Sequence, residues 1–311
     1  MNRTLSILIA ALLLAACGPS TGDLGGVATP PSTAQPSIEL PSDEPTPGST
    51  DSPQASPGAS PEPTTGETTT VRSYFILGSF VDNAGLVPVL RDIPRTKAVG
   101  TGAMTELLKG PNDDELGARP AMYTAIPDGT RFLGLTIDNG VATVNLSKEF
   151  ESGGGSTTVV QRLAQVVYTL TQFPTVTRVS FQIDGVPKTV FRGDGTTFDG
   201  PVGRDDYMDQ LPAIFVDRPA WGGVLGTPAR IAGVANVFEA QFQVRILNGN
   251  GRELAAAPPM ASCGTGCWGT FDMTLGYRVA KAGWGTLRVF EPSAKDGSPT
   301  NTTDYPVWLT P

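Results

Sequence analysis

Carboxylates are the side chains with the widest catalytic potential in this sequence, because the chain contains no histidine. Without imidazole, Ser-His-Asp and Cys-His nucleophiles and histidine-bound metals are excluded, whereas hydrolysis by a carboxylate pair remains open. Asp138 and Asp184 occupy predicted turns, and Glu149 and Glu151 precede a glycine run. Glu239, between apolar neighbours in a predicted strand, is expected to make a structural hydrogen bond, since one buried carboxylate does not make a pair.

The glycine run Gly153 to Gly155 is the only resemblance to a phosphate loop. It lacks the Gly-Lys-Ser/Thr ending whose amides, ammonium and hydroxyl hold a nucleotide and its magnesium. We therefore predict no nucleotide, cofactor or catalytic residue.

The N-terminus indicates secretion. Asn2 and Arg3 precede the apolar run Leu5 to Leu14, which is too short to span a bilayer and ends at Ala15-Ala16-Cys17-Gly18. The segment resembles a bacterial lipobox, which implies removal of residues 1–16 and acylation of the Cys17 sulfur. Two or three acyl chains anchor a protein durably. We expect an extracytoplasmic protein on the outer face of a membrane, in a Gram-positive cell.

Two further cysteines, Cys263 and Cys267, are separated by Gly-Thr-Gly. Outside the cytoplasm this pair is predicted to form a disulfide that pins a short loop. A redox-active pair is the alternative, although no thioredoxin-like βαβ pattern surrounds it. Two cysteines without histidine supply half of a zinc site, so no metal is predicted.

Residues 17–70 are predicted to form a lipid-anchored, disordered linker. The segment is rich in Pro, Ser, Thr, Gly and Ala and lacks aromatic residues and apolar periodicity. It carries seven acidic residues and no basic one, out of 30 acidic and 22 basic residues in the whole chain. The remainder is nearly neutral, which predicts no nucleic-acid partner.

Residues 71–195 have both strand and helix signals. Strands are predicted at 74–77, 86–90, 132–135, 141–146 and 176–183, and a short helix carries Met104 and Leu107. A longer helix is predicted to be capped by Ser156 or Thr157 and stopped by Pro174. Its apolar face is formed by Val159, Leu163, Val166, Val167 and Leu170.

The opposite face of this helix is polar but nearly uncharged. Its residues are Gln161, Arg162, Gln165, Thr169 and Gln172. We interpret it as solvated surface, with a face that packs on a partner protein as the alternative.

Four motifs of this region resemble the GerMN domain of sporulation and spore germination proteins. They are Glu106 to Pro111, Ile126 to Thr130, Val144 to Phe150 and Val179 to Gly185, in the expected order. The resemblance implies a compact α+β domain, with two helices on a small mixed sheet, that occurs in envelope lipoproteins and has no established catalytic centre.

Residues 205–311 are predicted to form an all-β sandwich. Short strands at 213–216, 229–235, 238–247, 269–275, 286–290 and 305–309 are divided by Gly, Pro, Asn and Asp. The segments 233–240, 268–271 and 285–297 resemble the immunoglobulin-like domain associated with bacterial spore germination, which often follows a GerMN domain.

Three functions are compatible with these features. The leading hypothesis is a non-catalytic, lipid-anchored envelope protein that binds protein partners or peptidoglycan and scaffolds an assembly. A second is a lipoprotein that modulates a membrane sensor kinase, and a third is a carboxylate-dependent cell-wall hydrolase. Sporulation itself does not follow from the family names.

Overall fold

The computed structural model describes residues 66–78, 85–191, 196–197 and 199–311. Cys17 and residues 17–65 of the predicted linker lie outside the described residues. From Gly66 onward the described chain belongs to one compact unit, in which an α+β part precedes a β-sandwich. The first strand begins at Thr68, three residues before the predicted domain start, because Thr68 to Thr70 pair with Asp92 to Pro94.

The first domain is α+β, as predicted. Its elements are β1 (Thr68–Leu77), β2 (Gly85–Pro94), α1 (Val99–Leu108), α2 (Asp113–Leu116), β3 (Met122–Tyr123), β4 (Phe132–Asp138), β5 (Val141–Leu146), α3 (Ser156–Leu170), β6 (Arg178–Ile183), β7 (Val186–Lys188), β8 (Val190–Phe191) and β9 (Thr196–Thr197). A 3₁₀ turn at Lys148–Glu151 leads into the glycine run, and another at Arg204–Gln210 leads to the second domain.

Two sheets, rather than one, flank the helices of this domain. The first has the antiparallel order β2-β1-β3, and the second has the order β4-β5-β6-β7, in which β5 and β6 are parallel. The strands β8 and β9 form a separate pair. Because α3 contacts both β1 and β6, both of its faces are covered.

The apolar face of α3 is buried as predicted, and every residue assigned to it is fully inaccessible to solvent. The cap prediction was wrong: Gly155 is the N-cap, and no side chain caps the helix. The helix ends at Leu170, before Pro174.

The prediction that the polar face of α3 is solvated, or meets another protein, was wrong. The strand β3 is so short that it pairs only with Ile76 and Leu77 of β1, and α3 lies where β3 would otherwise continue. The Gln172 amide accepts a hydrogen bond from Arg72 N and donates one to Arg72 O, both over 2.7 Å. Further along, Thr169 accepts from the N–H of Tyr74 and Gln165 donates to its carbonyl. Helix side chains therefore replace a missing strand.

Arg162, on the same face, is 1 % exposed and is bound by backbone carbonyls. Its guanidinium donates to the carbonyl oxygens of Ala125, Phe150, Ser152 and Gly153 over 2.5 to 3.2 Å. The carbonyl of Gly153, in the glycine run, thus faces the buried guanidinium of Arg162.

The second domain is an all-β sandwich, as predicted. Its strands are β10 (Ile214–Arg218), β11 (Val224–Leu225), β12 (Ala229–Ala235), β13 (Gln243–Asn248), β14 (Glu253–Ala257), β15 (Gly269–Leu275), β16 (Gly283–Pro292) and β17 (Pro299–Leu309). One sheet has the order β10-β12-β15 and the other the order β11-β17-β16-β13-β14. Alternate residues of β13, Val244 and Ile246, enter the core.

Glu239 was wrongly placed in a strand. Residues 238–240 form a 3₁₀ turn in which Glu239 has a φ of +52° and an exposed side chain. The sequence pattern also missed β11 and β14, which are short or rich in alanine.

Candidate functional site

The junction between the two domains contains a polar network. The Tyr74 hydroxyl, on β1, donates to Asp217 Oδ1 on β10 over 2.7 Å and accepts from Arg204 Nη2 over 3.0 Å. Arg204 also donates from Nε to Thr171 Oγ1 over 2.9 Å, and its guanidinium lies 4.7 Å from the centroid of the Tyr168 ring. A β-strand of each domain and the segment between them share this network.

Burial raises the pKa of the Tyr74 phenol above its ordinary value, and the Asp217 carboxylate acts in the same direction, against Arg204. Burial likewise raises the pKa of Tyr168. Both phenols therefore stay protonated at neutral pH, so that Tyr74 remains a donor to Asp217.

Backbone contacts fix the same junction. Trp221 N–H, after β10, donates to Pro88 O in β2 over 2.8 Å, beside a bridge between Val89 and Trp221. At Gly85 an added Cβ would lie 2.2 Å from Pro212 N, so the chains can approach only because this residue is glycine. One hydrophobic cluster, which includes Tyr74 and Phe215, continues through both domains.

Two grooves border this junction. The first has a volume of about 560 Å³ and is lined by Arg204, Phe215 and Asp217 together with Trp268, Arg230 and Asp272. The second has a volume of about 650 Å³ and lies between β2 and α2 of the first domain and β16 and β17 of the second. Clefts between domains are common sites of ligand binding.

Cys263 and Cys267 are joined by a disulfide, with their Cα atoms 5.9 Å apart. The loop packs closely on the rest of the domain, since an added Cβ at Gly264 would lie 2.2 Å from Ala240 N. Phe238 and Met260 nearby are 57 % and 66 % exposed. The disulfide thus shapes a loop beside an exposed apolar area.

The candidate carboxylates are not brought together as a catalytic pair. Asp138 is exposed at the end of β4, Asp184 has a φ of +48° in a turn, and Glu239 lies in the other domain. Glu151 pairs with Lys188 Nζ over 3.0 Å. A hydrogen bond from Ser147 holds the pKa of Glu149 below its ordinary value, which favours a charged carboxylate over a proton donor.

Within the described ranges, no group of three or more cysteine, aspartate or glutamate side chains is arranged to hold a metal ion. In the same ranges, no helix is long and apolar enough to cross a bilayer. Cys17, the predicted lipid attachment residue, lies outside them.

Sequence reasoning missed the junction residues Tyr74, Arg204, Asp217, Trp221 and Trp284. None belongs to a local motif, because the elements that carry them lie far apart in the chain. The chain has only four tryptophans, and all of them lie after residue 220. This uneven distribution is the feature of the sequence that could have drawn attention to Trp221 and Trp284.

Comparison with known proteins matches both domains to families. The model described as "Germane: Sporulation and spore germination" matches residues 73–189, and "Gmad2: Immunoglobulin-like domain of bacterial spore germination" matches residues 213–298. Both resemblances predicted from the sequence are confirmed.

Similar solved structures include the first GerMN domain of the sporulation protein GerM from Bacillus subtilis. It is 21 % identical, with a TM-score of 0.38, over 45 % of this chain and 100 % of that one. The tandem GerMN domains of the same protein are 16 % identical, with a TM-score of 0.37, over 68 % of this chain and 62 % of that one. No curated protein matches the chain significantly.

Proposed function

We propose that this chain, which carries a GerMN-like domain followed by an immunoglobulin-like domain of the bacterial spore germination type, is a non-catalytic binding and scaffold protein of the cell envelope. In this proposal a lipid on Cys17 holds the protein at the outer face of the membrane. The folded part then binds envelope proteins or peptidoglycan at a distance set by the linker.

The observation that carries the proposal is the construction of the domain junction. The core continues from one domain into the next, and the Tyr74, Arg204 and Asp217 network closes the interface. Two domains that are fixed in this way present surfaces of constant relative geometry, which lowers the entropic cost of binding a large partner. Rigid grooves of mixed polarity serve recognition and need no reacting group.

The environment of the candidate acids supports a non-catalytic role. A glycosidase needs two carboxyl groups on either side of one bond, about 5 to 10 Å apart. Glu149 and Glu151 share one turn, but Glu151 is paired with Lys188 and Glu149 is held as a charged carboxylate.

The disulfide supports the proposed location. Structural disulfides persist in oxidising compartments and are rare in the reducing cytosol. Metabolic labelling with palmitate tests the anchor: label should enter the wild-type protein and be absent from Cys17→Ser. Label in that variant would refute attachment at Cys17.

The binding role is tested with the chain from Gly18 to Pro311, which keeps every described residue and lacks the lipid. We expect either saturable co-sedimentation of this chain with purified sacculi or, for the full-length protein in intact cells, crosslinking to a defined envelope protein. Release of soluble wall fragments would identify a hydrolase instead, and absence of both sedimentation and crosslinks would refute the scaffold proposal.

A further inference from the structure

The larger groove at the junction combines exposed indole with many polar groups. Its first wall includes Arg91 of β2 and Glu115 of α2, and its second includes Trp284 and Asp304 of the sandwich. Trp221, in the loop between β10 and β11 of the sandwich, also lines it. The groove therefore exists only when the two domains are docked.

Both tryptophans are held in place by neighbouring elements. Trp284 is 56 % exposed, yet its ring lies 5.4 Å from that of Trp308 at an interplanar angle of 83°. Trp221 is anchored through its backbone to Pro88, and its ring lies 6.3 Å from that of Tyr305. The aromatic surfaces are thus ordered before any ligand binds, which reduces the entropy lost on binding.

The charges along the groove neutralise one another. Arg91 makes two hydrogen bonds, of 2.7 and 2.5 Å, to the Glu115 carboxylate, which is almost completely buried. Asp304 is bound by both Nε and Nη2 of Arg288, each over 2.7 Å. Asp114 and Arg119, which are exposed, contribute one charge of each sign. With Arg288 counted beside Asp304, three basic and three acidic side chains balance, so this groove of mixed polarity has no net charge to attract a phosphate or a charged peptide.

We infer that this groove binds a neutral sugar chain of the cell wall. The C–H faces of a pyranose ring are weakly electropositive and pack on the negative face of an indole, while its hydroxyls bond to polar groups at the rim. The partly exposed pair of Asp304 with Arg288, and the exposed Asp114 and Arg119, offer lone pairs and N–H groups to such hydroxyls. This inference rests on the wall-binding form of the proposed function and assigns its site.

The same features disfavour other ligands. A nucleic acid or a phosphate polymer requires an excess of Lys and Arg. A hydrophobic peptide anchor requires a deeper apolar floor, whereas the exposed aromatic surface here is bordered by ion pairs on both walls.

The test uses chitohexaose and cellohexaose, which represent an amino-sugar strand and a plain hexose chain. Isothermal titration calorimetry of the chain from Gly18 to Pro311 should show saturable binding of at least one of them. Trp284→Ala should weaken that binding about tenfold, and Trp284→Phe should restore part of it. Phe238→Ala is the matched control, because Phe238 is equally exposed at 57 % and does not line the groove.

Thermal melting of each variant checks that it is folded. Saturable binding that depends on Trp284 supports the inference, and the sugar that binds identifies the kind of chain. Absence of saturable binding by both sugars, or binding unchanged in Trp284→Ala, overturns it. If sacculi or a protein still bind to that folded variant as to the wild type, the scaffold proposal survives while the groove assignment fails.

Discussion

The side-chain amide of Gln165 joins two backbone segments that are distant in sequence. Its Nε2 donates to Tyr74 O over 2.9 Å, across 91 residues, and its Oε1 accepts from Ala125 N over 2.8 Å. A residue at the centre of a helix thereby satisfies two buried groups of neighbouring strand and loop backbone.

Replacing Gln165 by leucine should leave the Tyr74 carbonyl and the Ala125 N–H unpaired. Because a buried unsatisfied polar group costs about 1 to 3 kcal/mol, we expect the free energy of unfolding to fall by about 2 kcal/mol or more. Urea denaturation measures the loss. Gln161→Leu is the matched control on the same helix, since among the described residues its amide makes one contact, a 3.5 Å approach to Tyr123 Oη. Equal losses in both variants would contradict the bridging role.

Gly85→Ala should destabilise the junction. The new Cβ would lie within 2.2 Å of Pro212 N and 2.6 Å of Leu211 C, both backbone atoms that cannot move aside cheaply. We expect a loss of about 2 to 3 kcal/mol, as in an overpacked core. Gly226→Ala is the control, because its Cβ would meet no atom within 4 Å. Unchanged stability of Gly85→Ala in chemical denaturation would show that the domains can separate freely here.

Stability should fall at alkaline pH. Burial raises the pKa of Tyr74, Tyr168, Tyr207 and Tyr305 above the ordinary value. The unfolded chain loses these protons near pH 10, about where free tyrosine does, whereas the folded chain keeps them. The stabilisation is therefore complete below that pH and is lost as the pH rises above it.

Urea midpoints between about pH 8 and about pH 11, with tyrosinate absorbance in parallel, measure this loss. Tyr74→Phe should lose less stability over the same interval than the wild type does. A midpoint independent of pH would contradict the prediction.

Reduction of the disulfide between Cys263 and Cys267 should lower the free energy of unfolding by about 2 kcal/mol, the chain-entropy value for so short a loop. The remaining sandwich core should keep the protein folded. Denaturation with and without dithiothreitol measures the effect. The double variant Cys263→Ser with Cys267→Ser is the control, because dithiothreitol should not change its stability.

The sequence predicted elements whose periodicity reflects one buried face. β12 and β15 were assigned with the bounds that the structure shows, and the apolar residues of α3 are all in the core. The polar face of α3 could not be recognised, because Gln165 and Thr169 are buried by bonds to β1, which no local pattern displays. The strand predicted at Glu239 was wrong for a related reason. Its apolar neighbours suggested a strand, whereas the backbone of Glu239 is left-handed and turns the chain there. The grooves arise from the docking of distant segments such as Trp221 on β2, which only the tertiary structure reveals.

The long pairing of β1 with β2 has a mechanical consequence. Tension that arrives along the upstream chain reaches β1 at Thr68, the first of ten β1 residues paired in register with β2. When the opposing force acts at the domain junction, near the other end of β1, the tension is parallel to the strand and perpendicular to its hydrogen bonds. All the hydrogen bonds between β1 and β2 then bear the load together in shear, instead of breaking one after another. Because the lifetime of a protein under force is set by its unfolding rate, this attachment gives the folded unit resistance to tension applied along the upstream chain.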